Sequence, residues 1–240
     1  EELDIPVFHD DQHGTAIVVL AALINALKVV EKENYEVQIV INGAGSAGIA
    51  IAQLLLSAGY KDIVLLSIEG VVCQGETWMN DAQKAIAEVT NLTQKRGDLD
   101  DVIQEADVFI GVSAPNVLNE SHVKSMSDQP IIFALANPTP EIFPEEAIAA
   151  GAAVVGTGRS DYPNQINNLL AFPGIFRGIL NARKQNITTE MKVAAAQGIA
   201  NVIPESELSK DYVIPHALNS EVVTTVANAV EKSALEAVHK

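Results

Sequence analysis

The stretch VQIVINGAGSAG, Val37 to Gly48, passes from a short β-rich run into a turn spaced G-x-G-x-x-G at Gly43, Gly45 and Gly48. Val37–Ile41 reads as a buried strand, and Ala47–Ala58 reads as a helix that Gly59 stops. In this setting each glycine has a physical task. The first permits the tight turn, the second lets backbone approach a pyrophosphate, and the third lets helix pack closely on strand. The helix N-terminus then offers free N–H groups to an anion. A purely structural turn is the alternative, but the strand–turn–helix context favours a dinucleotide.

Working outward, Ile63–Leu66 is the next buried strand. A strand in this position should end in an acid that hydrogen-bonds the adenosine ribose of NAD. Here Ser67 occupies that place and Glu69 follows two residues late. Either Glu69 reaches back, or the site accepts a 2′-phosphate and prefers NADP, although no arginine adjoins Ser67. Further along, strands at Val108–Ile110, Ile131–Ala134 and Ala153–Val155 alternate with helices at Asp98–Glu105, Glu120–Met126 and Pro144–Ala149. Gly70–Gly97 is more irregular, with a helix near Asp81–Val89. The chain opens with a buried helix from Gly14 and Thr15 to Val30 and closes with helices at Pro173–Arg183, Thr188–Val202 and Asn219–His239. The expected fold is α/β, a Rossmann-like, doubly wound, mostly parallel sheet with helices on both faces and additional C-terminal helices. Pro204–Lys210 reads as a loop inside a single domain spanning 1–240.

Phe8-His9-Asp10-Asp11-Gln12-His13-Gly14-Thr15 concentrates two carboxylates and two imidazoles before the first helix. Capping of that helix with favourable acid–dipole contacts, and ligation of a hard divalent cation, both account for the two aspartates. Three loops follow strands: Gly111-Val112-Ser113-Ala114-Pro115, Leu135-Ala136-Asn137-Pro138-Thr139-Pro140, and Gly156-Thr157-Gly158-Arg159-Ser160-Asp161. In open α/β sheets ligands bind at such carboxyl ends, which makes Ser113 and Asn137 candidates. Asn164-Gln165-Ile166-Asn167-Asn168 and Phe172-Pro173-Gly174 lie beyond them.

The composition narrows the field. The 240 residues carry a net charge of −16 with 48% hydrophobic and 19% charged residues, which describes a globular chain and opposes nucleic-acid binding. The single cysteine, Cys73, cannot form an internal disulfide and fits a reducing, cytoplasmic setting; it reads as a packing residue. Ala16–Val30 is too short for a membrane span, and the acidic start is unlike a signal peptide. The chain also lacks a Met start, so it is expected to begin inside a longer protein.

VFHDDQHGTA, NGAGSAG, FALANPTPE and GTGRSDYPNQINNLLAFPG, in this order, resemble the malic enzyme family in its bacterial, short-subunit branch. The resemblance implies oxidative decarboxylation of malate to pyruvate and CO2 with NAD or NADP and Mg²⁺ or Mn²⁺. It implies Asp11 as metal ligand, supported by Asp10. Gly43, Gly45, Ser46 and Gly48 would bind the dinucleotide phosphates, joined by Ser67, Ser113 and Asn137 as cofactor contacts. Asn137 and Asn168 would hydrogen-bond the substrate. In the family the lysine base, the tyrosine acid and a Glu-Asp metal pair precede the VFHDDQ motif. The resemblance therefore implies that these residues come from an N-terminal catalytic portion outside the 240, and that the chain alone binds cofactor with little turnover. A homodimer or larger homo-oligomer is expected. Rival readings are a malolactic enzyme, a non-catalytic dinucleotide-sensing module, and the cofactor domain of an amino-acid dehydrogenase.

Overall fold

The computed structural model describes residues 5–236, and the last three positions of the expected Asn219–His239 helix lie outside them. Six strands form one sheet: β1 (Gln38–Asn42), β2 (Asp62–Ser67), β3 (Gly70–Val71), β4 (Val108–Gly111), β5 (Ile131–Ala134) and β6 (Val154–Thr157). Their order is β3-β2-β1-β4-β5-β6. All pairings are parallel except β2 with β3, so the expected doubly wound sheet is present with one antiparallel edge. The order reverses between β1 and β4, which opens a crevice at their carboxyl ends, the usual ligand position in such sheets.

The helices are α1 (Thr15–Val29), α2 (Ser46–Ser57), α3 (Asp81–Ala87), α4 (Leu99–Val102), α5 (Glu120–Ser125), α6 (Pro144–Ala150), α7 (Phe172–Asn181), α8 (Thr189–Ala200) and α9 (Val222–Glu236). Alternation along β1 divides the core. Ile39 and Ile41 face α1, α2 and the C-terminal helices, whereas Val40 faces the cluster built from α4, α5 and α6. Strands buried on both faces explain why β1, β4, β5 and β6 read as unbroken apolar runs.

Three boundaries differ from expectation for identifiable reasons. The Asp98–Glu105 helix shrinks to Leu99–Val102, because Glu105 adopts a left-handed φ of 61° and donates its N–H to Ser125 carbonyl. The irregular Gly70–Gly97 stretch hides β3, whose two residues are too few to show periodicity. The first helix is preceded by a π-helical turn, Asp10–Gly14, so the helical run starts earlier than expected. Asp10–Val29 is thereby long and apolar enough to cross a membrane by length and composition, although 67% of its apolar window is buried in the fold. Its one deeply buried polar residue, Asn25, donates to Ala200 and Val213 carbonyls at 3.0 Å each, tying α1 to the C-terminal segment. Cys73 is buried, in line with a packing role.

Candidate dinucleotide and substrate site

The Gly-rich turn has the geometry its glycines promise. Gly43 sits at φ 125°, and a Cβ there would lie 2.5 Å from Val112 carbonyl oxygen. A Cβ at Gly48 would lie 1.8 Å from Gly43 carbonyl oxygen, so only glycine lets α2 come this close to β1. At Gly45 the surroundings are open, with nothing within 4 Å of a Cβ. The turn thus presents one vacant backbone surface at the start of α2, whose N-terminus carries no side-chain cap and keeps its N–H groups for an anion. Gly45 and Ser46 are exposed there. Gln83 on α3 steadies the turn by donating to Ala44 carbonyl at 3.2 Å, a support the sequence reading did not identify.

The loops after β4, β5 and β6 form one stitched ledge beside the turn. Val112 N–H bonds Asn42 carbonyl at 2.9 Å, joining the β4 loop to the end of β1. Glu141, fully buried, joins the next two: one carboxylate oxygen accepts Ser113 N–H at 3.1 Å and the other accepts Ala136 N–H at 3.0 Å. Burial pushes the Glu141 carboxyl above the usual carboxylate range, with the N–H donors opposing it. Glu141 was missed at the sequence level. Its signal was an acid bracketed by Pro140, Ile142, Phe143 and Pro144, an apolar setting for a charge. Arg159 completes the ledge, donating to Pro138 carbonyl at 3.2 Å and making a two-pronged bond to Asp161 at 2.9 and 2.6 Å. Ser113 and Asn137 are exposed on this ledge.

At the other side of the crevice, Asn168 meets the acidic turn. Its Nδ2 donates to Asp10 carbonyl at 3.3 Å, and Thr15 Oγ1 donates to its Oδ1 at 3.2 Å. Residues 153 or more apart in sequence are therefore adjacent here. The Asp10 carboxylate folds against Gly14, where a Cβ would stand 2.3 Å from Oδ1. Neither aspartate makes a side-chain capping bond, but both stand in the first turn of the helical run, where acidic side chains also suit the helix dipole. Both side chains are exposed oxygen donors of the kind a hard divalent cation takes. Among the described residues no group of three or more acidic, His or Cys side chains converges as a metal cage. His13 is held below the usual imidazole range, first by burial and then by the charges of Lys192 and His9. Lys192 is itself half-buried and lowered by that burial. No lysine neighbours this motif in sequence; α8 brings Lys192 near it through the fold.

Two polar residues near the motifs serve the scaffold. Asn164 is buried and bridges Val155 carbonyl, Lys210 carbonyl and Val213 N–H. Asn167 accepts Leu169 N–H at 2.9 Å and so caps the short turn that carries Asn168. At the far end of the crevice, Ser67 Oγ donates a hydrogen bond to the Glu69 carboxylate.

Comparison with known proteins identifies the family to which this fold belongs. The family model described as the malic enzyme NAD-binding domain matches residues 12–235. The bifunctional malic/malolactic enzyme of Bacillus subtilis is 55% identical over 237 residues, covering 98% of this chain and 58% of that protein. The NAD-dependent malic enzyme of Geobacillus stearothermophilus is 53% identical, covering 98% of this chain and 49% of that one. The crystal structure of the NAD-dependent malic enzyme of Thermotoga maritima superposes with a TM-score of 0.91 at 47% identity, covering 96% of this chain and 60% of that one. The chain thus spans about half to three-fifths of the length of these relatives. The chain belongs to the malic enzyme family, and residues 12–235 are its NAD-binding domain.

Proposed function

We propose that this domain serves an enzyme that oxidatively decarboxylates malate to pyruvate and CO2 with NAD or NADP and Mg²⁺ or Mn²⁺. The observation that carries the reading is the junction of Asn168 with the Asp10 backbone and Thr15, which brings a candidate substrate residue to the turn that bears the exposed Asp10 and Asp11. A divalent cation held by Asp11 with Asp10 in support would supply Lewis-acid polarisation at the C2 oxygen of malate, and a dinucleotide held by the Gly43–Gly48 turn would supply the hydride acceptor. The chain's own part is to hold and orient. Gly43, Gly45, Ser46 and Gly48 receive the pyrophosphate, and the ledge of Ser113 and Asn137 positions the nicotinamide end. Asp11 ligates the cation with Asp10 supporting it, while Asn137 and Asn168 hydrogen-bond the substrate. Two aspartates cannot fill a cation's coordination shell, so water, malate and residues beyond these elements complete it. The lysine base, the tyrosine acid and the remaining metal carboxylates belong to a separate catalytic portion in this reading. A cytoplasmic homo-oligomer is part of the same proposal, and the single free Cys73 fits the reducing compartment it assumes.

A second reading, conversion of malate to lactate, is favoured by the 55% identity to a relative named for both activities. Supplying malate, Mn²⁺ and NAD or NADP to the intact protein and identifying the product separates the two. Pyruvate with stoichiometric reduced cofactor supports the first reading, and lactate without net reduction supports the second. Absence of both products refutes both readings.

A further inference from the structure

After β2 the chain turns through Ser67, Ile68 and Glu69 into β3, pairing Ser67 with Gly70. Within this turn Ser67 Oγ donates a hydrogen bond to the Glu69 carboxylate. A cavity of about 380 Å³ opens beside it at the carboxyl ends of β1 and β2, lined by Asn42, Ser67, Glu69, Asp98, Asp100 and His122 among others. Gly97 carbonyl accepts Val71 N–H at 3.1 Å, which draws the Asp98–Asp101 segment against the turn. The lining contains no lysine or arginine among the described residues. Arg96, near in sequence, is committed to Glu76 and to Gln74 carbonyl. Two of the lining carboxylates are already engaged: Asp98 accepts Asp100 N–H at 3.0 Å, and Asp100 pairs with His122 at 2.5 Å. Glu69 is exposed and keeps acceptor capacity beyond its bond to Ser67.

We infer that Glu69, held in place by Ser67, replaces the acid that ordinarily ends this strand and makes the chain select NAD over NADP. The inference rests on the Gly-rich turn binding a dinucleotide, because that places the adenosine ribose at the end of β2. A ribose with both hydroxyls free donates two O–H groups, and one carboxylate accepts both. A 2′-phosphate instead carries a charge of about −1.5 to −2 at neutral pH and calls for an arginine or lysine. Here it meets three carboxylates, and like charges at this range repel. The exposed position of Glu69 means that its substitution leaves the core untouched.

The test is calorimetric titration of the chain with NADH and with NADPH at low and at high salt. Wild type is expected to bind NADH at least about tenfold more tightly, with the gap narrowing at high salt as repulsion is screened. Glu69→Gln narrows the gap, Glu69→Lys reverses it, and Ser67→Asp preserves it. Equal affinities, tighter NADPH binding, or a ratio unchanged by Glu69→Lys overturns the inference while leaving dinucleotide binding intact. Binding of neither cofactor overturns the dinucleotide site itself and the inference with it.

Discussion

The buried carboxylate of Glu141 holds the backbone N–H of Ser113 at 3.1 Å while its second oxygen holds Ala136 N–H, so one side chain fastens the loops after β4 and β5. The space it fills exists because Gly111 has no side chain: a Cβ there would lie 2.3 Å from Glu141 Cδ. Glu141→Gln turns an NH₂ donor toward one of two N–H donors and should cost about 1–3 kcal/mol. Gly111→Ala should reproduce the loss by displacing the same carboxylate. Urea unfolding of both variants checks this, and wild-type stability in both contradicts it.

Gly45 and Gly48 separate binding from folding. Gly48→Ala forces a methyl onto Gly43 carbonyl and should destabilise by about 1–3 kcal/mol or more, as overpacking does. Gly45→Ala meets nothing in the free protein, so its stability should stay within about 0.5 kcal/mol of wild type. Its methyl occupies the surface assigned to pyrophosphate, so dinucleotide affinity should fall at least about tenfold. Thermal melts together with cofactor titration distinguish the two effects.

Asp107 ties the start of β1 to two loops, accepting from Lys32 Nζ at 2.7 Å, Ser127 Oγ at 2.6 Å and Gln38 N–H at 2.8 Å. Burial alone would raise its carboxyl, but these bonds and the Lys32 charge outweigh burial and hold it below the usual carboxylate range. A carboxyl depressed in the folded state contributes stability above its unfolded pKa and loses it as pH falls through the folded value. Wild-type stability should therefore drop as pH falls below about 4, the ordinary aspartate pKa, and Asp107→Asn should flatten that part of the profile. At neutral pH the substitution should cost about 1.5–3 kcal/mol, the worth of hydrogen bonds to a charged group. An unchanged acid limb contradicts the assignment.

Asp11→Asn removes an exposed carboxylate that makes no capping bond, so stability should fall by no more than about 0.3–1 kcal/mol, the worth of a charge–dipole contact. If Asp11 ligates the cation, the Mn²⁺ concentration supporting half-maximal activity of the intact protein should rise about 10- to 100-fold. Asn168→Ala should instead raise the malate KM about tenfold, the scale of one hydrogen bond to a charged partner. A metal requirement unaltered by Asp11→Asn removes that residue from the site.

Local chemistry made much of this legible. The β1–turn–α2 unit is written in consecutive residues, and strands buried on both faces announce themselves as apolar runs. What escaped depended on distance. Glu141 looks like a loop acid until Gly111, thirty positions earlier, leaves room for it beside two N–H donors. Asn164 belongs to an amide-rich loop near the site, yet its three bonds close a core seam with Val155, Lys210 and Val213. The aspartates before α1 carry a capping composition, but they fall inside a π-helical first turn and make no side-chain capping bond. Lys192 meets His13 only because α8 packs across α1.

The most direct measurement is calorimetric titration of NADH into the wild-type chain and into Gly45→Ala at matched concentrations. One saturable site per chain, weakened at least about tenfold in the variant with an unchanged melt, is the predicted result. Absence of saturable binding, or equal binding in both proteins, would contradict the assignment of the Gly43–Gly48 turn as the dinucleotide cradle.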